Sequence, residues 1–159
     1  MNEEFGYSVL VVEDEAVNRL TLERMLTKKG CLVSCVENGQ EAVAALESTS
    51  YDCVLMDVRM PVMDGIQATK KIRSLDRRSR NVPVIALTAY AMPGDREKCL
   101  DAGMDDGLTA RGIFTGQTGM LTMLETCHEQ RKKIRQELWM TLSTQSRYVD
   151  VTARLTGLI

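Results

Sequence analysis

Short, unbroken apolar runs punctuate the first two thirds of the chain. Val9, Leu10, Val11 and Val12 form one, Val54, Leu55 and Met56 another, and Val84, Ile85, Ala86 and Leu87 a third. Runs of this length without in/out alternation fit strands covered on both faces. A weaker strand is expected over 31–36. Between the runs, apolar positions take helical spacing. The segment 16–29 sets Val17, Leu20 and Met25 near one face and stops at Gly30, a helix C-terminal signal. Asn38 can cap a helix over 39–48 that carries Ala42, Val43 and Leu46. The segment 65–75 groups Ile66, Thr69 and Ile72, with Asp64 as turn and N-cap. Pro93 suits the first turn of a helix reaching about residue 102, ended by Gly103. Strands alternating with such helices predict βαβ units, right-handed crossovers and a doubly wound parallel sheet. Ligands of these sheets sit at the carboxyl ends of the strands.

The chemistry at those ends is acidic. The first strand runs into Glu13 and Asp14, the third into Asp57, and the fourth into Thr88. With the first and third strands adjacent, all four converge on one edge. Three carboxylates in one crevice repel each other, and burying them costs free energy unless a cation joins them. A few oxygen ligands suit Mg²⁺, which keeps several waters and favours carboxylate plus phosphate. An aspartate and a threonine hydroxyl beside such an ion make a phosphoryl-transfer arrangement. Taken singly, Glu13 or Asp14 could instead begin the first helix. Asp105 and Asp106 read as a solvated loop.

Composition narrows the class. The chain has 159 residues, 44% hydrophobic and 26% charged, which fits one globular domain with a short extension and excludes wholesale disorder. No apolar run approaches a membrane span, and MNEEFGYSVL puts acidic residues before its first apolar stretch, the wrong order for a secretory signal. A net charge of −2 argues against a wholly basic nucleic-acid binder. Five cysteines without a C-x-x-C pair argue against a disulfide framework or zinc site; Cys31, Cys35, Cys53, Cys99 and Cys127 read as small buried hydrophobes of a cytoplasmic protein. The charge is uneven. Residues 1–106 carry 13 Lys/Arg against 18 Asp/Glu, and residues 107–159 carry 7 against 4, so a compositional boundary falls near Asp106.

Three stretches are recognisable together. VLVVEDEAVNR, VLMDVRMPVMDGIQATKKIR and VPVIALTAYAMPGDREKCLDAGMDD strongly resemble the receiver domain of two-component response regulators, most like the receiver modules of hybrid sensor histidine kinases. The resemblance covers 8–106. It implies an α/β, flavodoxin-like, doubly wound five-stranded parallel sheet of order 2-1-3-4-5 with five helices. It also implies a phosphorelay role, in which Asp57 accepts a phosphoryl group from a histidine kinase or histidine phosphotransfer protein. Carried over by position, Asp14 holds Mg²⁺ directly, Glu13 mostly through water, and Asp57 and the backbone carbonyl of Arg59 complete the metal site. Thr88 turns its hydroxyl toward the phosphoryl group. In isolation no enzyme activity is implied beyond self-phosphorylation from a donor and slow dephosphorylation, and the chain reads as a fragment of a hybrid kinase. The expected domains are an N-terminal extension over 1–7, a receiver over 8–125 and a C-terminal helical extension or tail over 126–159.

The resemblance breaks after Asp106. The family's switch aromatic falls on Gly107, its lysine on Ala110 and the following proline on Arg111. A charged hydrogen bond such as that lysine makes is worth roughly 1.5–3 kcal/mol, so its loss removes much of the drive for a conformational switch. Arg111 is the candidate for a substitute cation, but one step along a strand points to the opposite face, which argues against it. The fifth strand, bracketed by Gly107 and Gly112, and the fifth helix are therefore expected to be atypical. Met120, Leu124, Cys127, Ile134, Leu138 and Leu142 predict a helix over about 118–142, whose apolar stripe suggests a homodimer contact through the C-terminal region. The basic run Arg131, Lys132, Lys133 and Arg135 reads as a solvated face, and His128 as a plain helix residue. No nucleic-acid contact and no membrane segment are expected. An alternative function follows from the break: a degenerate receiver that serves as a protein-interaction module without a phosphorylation switch.

Overall fold

The apolar runs become strands. In this computed structural model the described residues are 6–76, 78–88 and 94–109, together with Glu129 and Lys132; for 88 and 106–109 only the main chain is described. Strand β1 is Ser8–Val12, helix α1 Ala16–Lys28, β2 Leu32–Val36, α2 Gly39–Ser48, β3 Cys53–Asp57 and α3 Gly65–Ser74. After a single 3-10 turn at Ser79–Asn81 follow β4 Val84–Thr88, α4 Asp95–Asp101 and β5 Asp106–Thr109. The sheet is parallel and five-stranded, in the order β2-β1-β3-β4-β5. β5 has only four residues and pairs from Ile85↔Asp106 to Thr88↔Thr109.

The pleat sends alternate residues to opposite faces. Val9, Val11, Leu55, Ile85 and Leu87 pack with Leu22 and Leu26 of α1. Leu10, Val12, Val54, Met56, Val84 and Ala86 pack with Ala42 and Leu46 of α2, Ala68 and Ile72 of α3, and Cys99 of α4. Both faces are covered, which is why the central strands read as continuous apolar runs. Cys31, Cys53 and Cys99 are buried as expected, and Cys35 is half-buried on the edge strand.

The helix caps follow the sequence. The Asn38 side chain accepts from the Glu41 amide at 3.0 Å and caps α2, while the Glu41 carboxylate accepts from the Glu37 amide at 2.9 Å and ties the incoming chain to the first turn. Asp64 caps α3 through the Gln67 amide at 2.8 Å.

Two expectations need correction. α1 does not bury Val17 and Leu20, which are 69% and 46% exposed; its core contacts are Leu22 and Leu26, with Met25 alongside. At 100° per residue, Leu22 and Leu26 lie nearly opposite Val17. Asp105 is exposed in the bend before β5, as expected, but it is not free there, and Asp106 is not in a loop. Asp105 accepts the Val84 amide at 2.8 Å and pairs with Arg73 at 2.9 Å, and Asp106 opens β5.

By main-chain contacts the chain falls into two units, Met1–Cys127 and His128–Ile159. In the second, Lys132 Nζ lies 3.1 Å from Glu129 Oε1. The remainder of the expected 118–142 helix, with Cys127, His128 and the dimer contact, lies outside the described residues, as do the fifth helix, Ala110 and Arg111. Among the described residues no helix is long and apolar enough to cross a membrane.

Candidate metal centre

Strand register builds the acidic cluster. Val12 pairs with Met56, so the next residue of each strand, Glu13 and Asp57, emerge side by side at the carboxyl edge. Glu13 stays level with the sheet because its amide donates to the Val36 carbonyl at 3.1 Å. Carboxylate oxygens of Glu13, Asp14 and Asp57 lie within 4.8 Å of one another. Glu13 is buried, Asp57 half-buried and Asp14 exposed.

The electrostatics follow from that geometry. Burial pushes the Glu13 carboxyl up to about 7, against the opposing pull of the Glu15 amide; the Asp57 and Asp14 charges raise it further, and the Asn18 side chain lowers it. Burial also pushes Asp57 up to about 6, again opposed by a backbone amide, that of Arg59, with Asp14 adding repulsion. Three carboxyl groups crowded together, two of them partly desolvated, form a group that can hold a cation. The donors are carboxylate oxygens at a crevice edge, a set that fits a hard, oxygen-seeking divalent ion.

The loop after Asp57 is pinned at several points. The Arg59 amide donates to Asp57 Oδ1 at 3.2 Å. Its guanidinium reaches Asp95 of α4 at 3.8 Å. Val62 has a φ of 69° and is the centre of a three-residue turn closed by Met63 N–H to Pro61 O at 2.8 Å. A β-branched residue in that conformation is strained. The surroundings hold it there: the Met63 carbonyl accepts from the Gly39 amide at 3.0 Å, and the Gly65 amide donates to Val58 O at 3.1 Å. Both approaches require glycine. A Cβ at Gly39 would come within 2.7 Å of Ala68 Cβ and of Met63 O. Thr88 ends β4 one residue beyond Leu87, the partner of Asp57, and its side chain lies outside the described part of the structure.

Sequence reasoning did not single out Arg19. Its guanidinium donates to the Glu13 and Asp14 carbonyls at 2.9 and 3.1 Å and to Glu37 Oε1 at 2.9 Å. A basic residue five to six positions after a strand-end acidic pair was the available signal.

Comparison with known proteins gives this geometry a context. The sensor protein GacS of Pseudomonas syringae pv. syringae is 45% identical over 103 residues, which cover 64% of this chain and 11% of that protein. The hybrid signal transduction histidine kinase I of Dictyostelium discoideum is 39% identical over 107 residues, covering 64% of this chain and 6% of that protein. The chain thus spans a small part of the curated relatives it matches. Among solved structures, the receiver domain of a sensor histidine kinase from Pseudomonas aeruginosa PAO1, with a magnesium ion coordinated in its active-site cleft, superposes with a TM-score of 0.69 at 43% identity. That match covers 76% of this chain and 96% of the other. The family model for the response regulator receiver domain matches residues 9–110, more than half of the sequence, and the chain belongs to that family of two-component phosphorelay signalling domains.

Proposed function

We propose that this domain accepts a phosphoryl group on Asp57 from a phosphohistidine of a histidine kinase or histidine phosphotransfer protein, with Mg²⁺ at the acidic cluster. The observation that carries the reading is the cluster itself: three carboxylates within 4.8 Å, one of them the strand-end Asp57. Glu13, Asp14, Asp57 and the Arg59 backbone carbonyl would hold the ion, which supplies charge neutralisation for the phosphoryl oxygens. An Asp57 carboxylate oxygen attacks phosphorus as the phosphorus–nitrogen bond to the donor imidazole breaks. The imidazole leaves with the bonding pair and takes up a proton. Asp57 must be ionised to attack, and a pKa of about 6 leaves it mostly so at neutral pH. The Thr88 hydroxyl donates a hydrogen bond to the transferred group. The receiver is taken as 8–125, within a cytoplasmic part of a larger hybrid kinase.

A second reading, a protein-interaction module without a phosphorylation switch, draws its support from Gly107, Ala110 and Arg111, where the family's aromatic, lysine and proline would stand. Incubation with a small phosphodonor, read by intact mass, separates the two. The first reading expects one added phosphoryl group that depends on Mg²⁺ and is lost in Asp57→Asn. The second expects no increment.

A further inference from the structure

Arg19 gathers the main chain of the acidic loop. Glu13, Asp14 and Glu15 are three consecutive carboxylates, and mutual repulsion favours spreading them apart. One guanidinium nitrogen of Arg19 forks across two successive carbonyls, those of Glu13 at 2.9 Å and Asp14 at 3.1 Å. The other reaches Glu37, in the loop between β2 and α2, at 2.9 Å. The Arg19 side chain is 19% exposed, whereas Glu37 is 64% exposed. Within the loop, then, the bonds run to main-chain oxygens. The planar fork can serve two acceptors and an anchor at once, which a lysine ammonium on its flexible stem does not reproduce.

We propose that Arg19 is the positioning residue of the metal centre: by fixing the Glu13 and Asp14 peptides against α1 and the β2–α2 loop, it holds their carboxylates in place for a divalent cation beside Asp57. The inference rests on the reading of Glu13, Asp14 and Asp57 as metal ligands. Groups that orient metal ligands typically contribute about 10–100-fold in metal affinity, even without touching the ion.

The test is Mg²⁺ titration of the full chain by calorimetry and by amide spectra, with the metal-free melting temperature recorded alongside. Arg19→Gln is expected to weaken Mg²⁺ binding about 10–100-fold, and to shift the metal-free amide signals of Glu13, Asp14 and Glu15. Arg19→Lys, which keeps the charge but not the fork, recovers only part of the affinity. Glu37→Gln, at an exposed position, weakens binding a few-fold and covers the case in which Arg19→Gln does not fold. Asp14→Asn is the control for the site. Unchanged affinity in Arg19→Gln or Glu37→Gln, with affinity lost in Asp14→Asn, overturns the positioning role and leaves the site standing. Full affinity in Arg19→Lys overturns the fork and makes the effect one of charge alone. Equal binding in Asp14→Asn overturns the site, and the inference with it.

Discussion

Gly65 lies so close to Asp57 that a methyl group on its Cα would overlap the Asp57 carbonyl oxygen, with Met56 Cγ at 2.9 Å and Val58 Cα at 3.0 Å. The first residue of α3 is thus wedged against the end of β3. Alanine gains about 1 kcal/mol over glycine in a helix interior, but here a rigid main chain opposes it. Gly65→Ala should therefore destabilise the domain by about 1–3 kcal/mol, as overpacking does. It should also displace Asp57 enough to weaken Mg²⁺ binding. Denaturant unfolding with and without Mg²⁺ measures both effects; a more stable variant with unchanged binding would mean the wedge does not exist.

The raised carboxyls make a pH prediction with a definite sign. Glu13 rises from 4.5 to about 7 and Asp57 from 3.8 to about 6 on folding. Between those values the folded state holds more protons than the unfolded one. Their stabilising contribution is complete below about pH 4 and is lost as pH rises through 6 to 7. In chelator, the melting temperature should fall across that window. Added Mg²⁺ should reverse the fall, by about 1.4 kcal/mol at a tenfold excess over its Kd. Asp57→Asn should raise metal-free stability at pH 7 and flatten the profile. A metal-free protein that grows more stable from pH 5 to 7.5 would show that these two groups do not dominate.

Much of this site was readable from strand ends. The apolar runs end at Glu13, Asp57 and Thr88, and because the strands are buried on both faces the runs mark their limits closely. Asn38 and Asp64 announced their helices because a cap acts over three residues. Arg19, Arg73 and Asp105 were silent for the opposite reason. Their partners are set by tertiary approach, as when Arg73 bonds to Gly103, and no local period encodes that. The face of α1 was misread because Val17 and Leu20 are exposed apolar residues, which periodicity counts as core. Val62 escaped notice because a positive φ normally advertises itself as glycine or asparagine.

Arg73 of α3 ties together the segments leading into β4 and β5, at the opposite end of the sheet from the acidic cluster. Its guanidinium donates to the carbonyls of Gly103, Arg80 and Val82 at 2.8 Å each and to Asp105 at 2.9 Å. Asp105 in turn accepts the Val84 amide, so the start of β4 and the entry to β5 share one ion pair. Arg73→Ala strands these acceptors and should cost about 2–4 kcal/mol. Mg²⁺ affinity should stay near that of the unmutated protein. Amide exchange should quicken first at Val84 and Asp105. A loss under 0.5 kcal/mol, the usual range for a surface change, would reduce the network to a surface pair.

Replacing Ala110 by lysine tests the second functional reading. With the acidic cluster intact, the protein should bind beryllofluoride weakly, with amide changes mainly near Asp57 and Thr88. Ala110→Lys should tighten that binding by up to roughly a hundredfold, the upper end of a charged hydrogen bond. Unchanged affinity would mean that the chain after β5 does not run beside the site. Wide spectral changes in the unmutated protein would require another cation, with Arg111 the first to mutate.

Phosphoryl acceptance at Asp57 is tested most directly by locating the modified atom. The full chain is incubated with a small phosphodonor and Mg²⁺, and the acyl phosphate is reduced with borohydride, which converts a phosphorylated aspartate to homoserine. Peptide mapping then reads the position. The expected result is homoserine at residue 57, present with Mg²⁺, lost in chelator and strongly reduced in Asp14→Asn. Homoserine at another carboxylate, or none at residue 57 in a folded, Mg²⁺-loaded protein, would contradict the account.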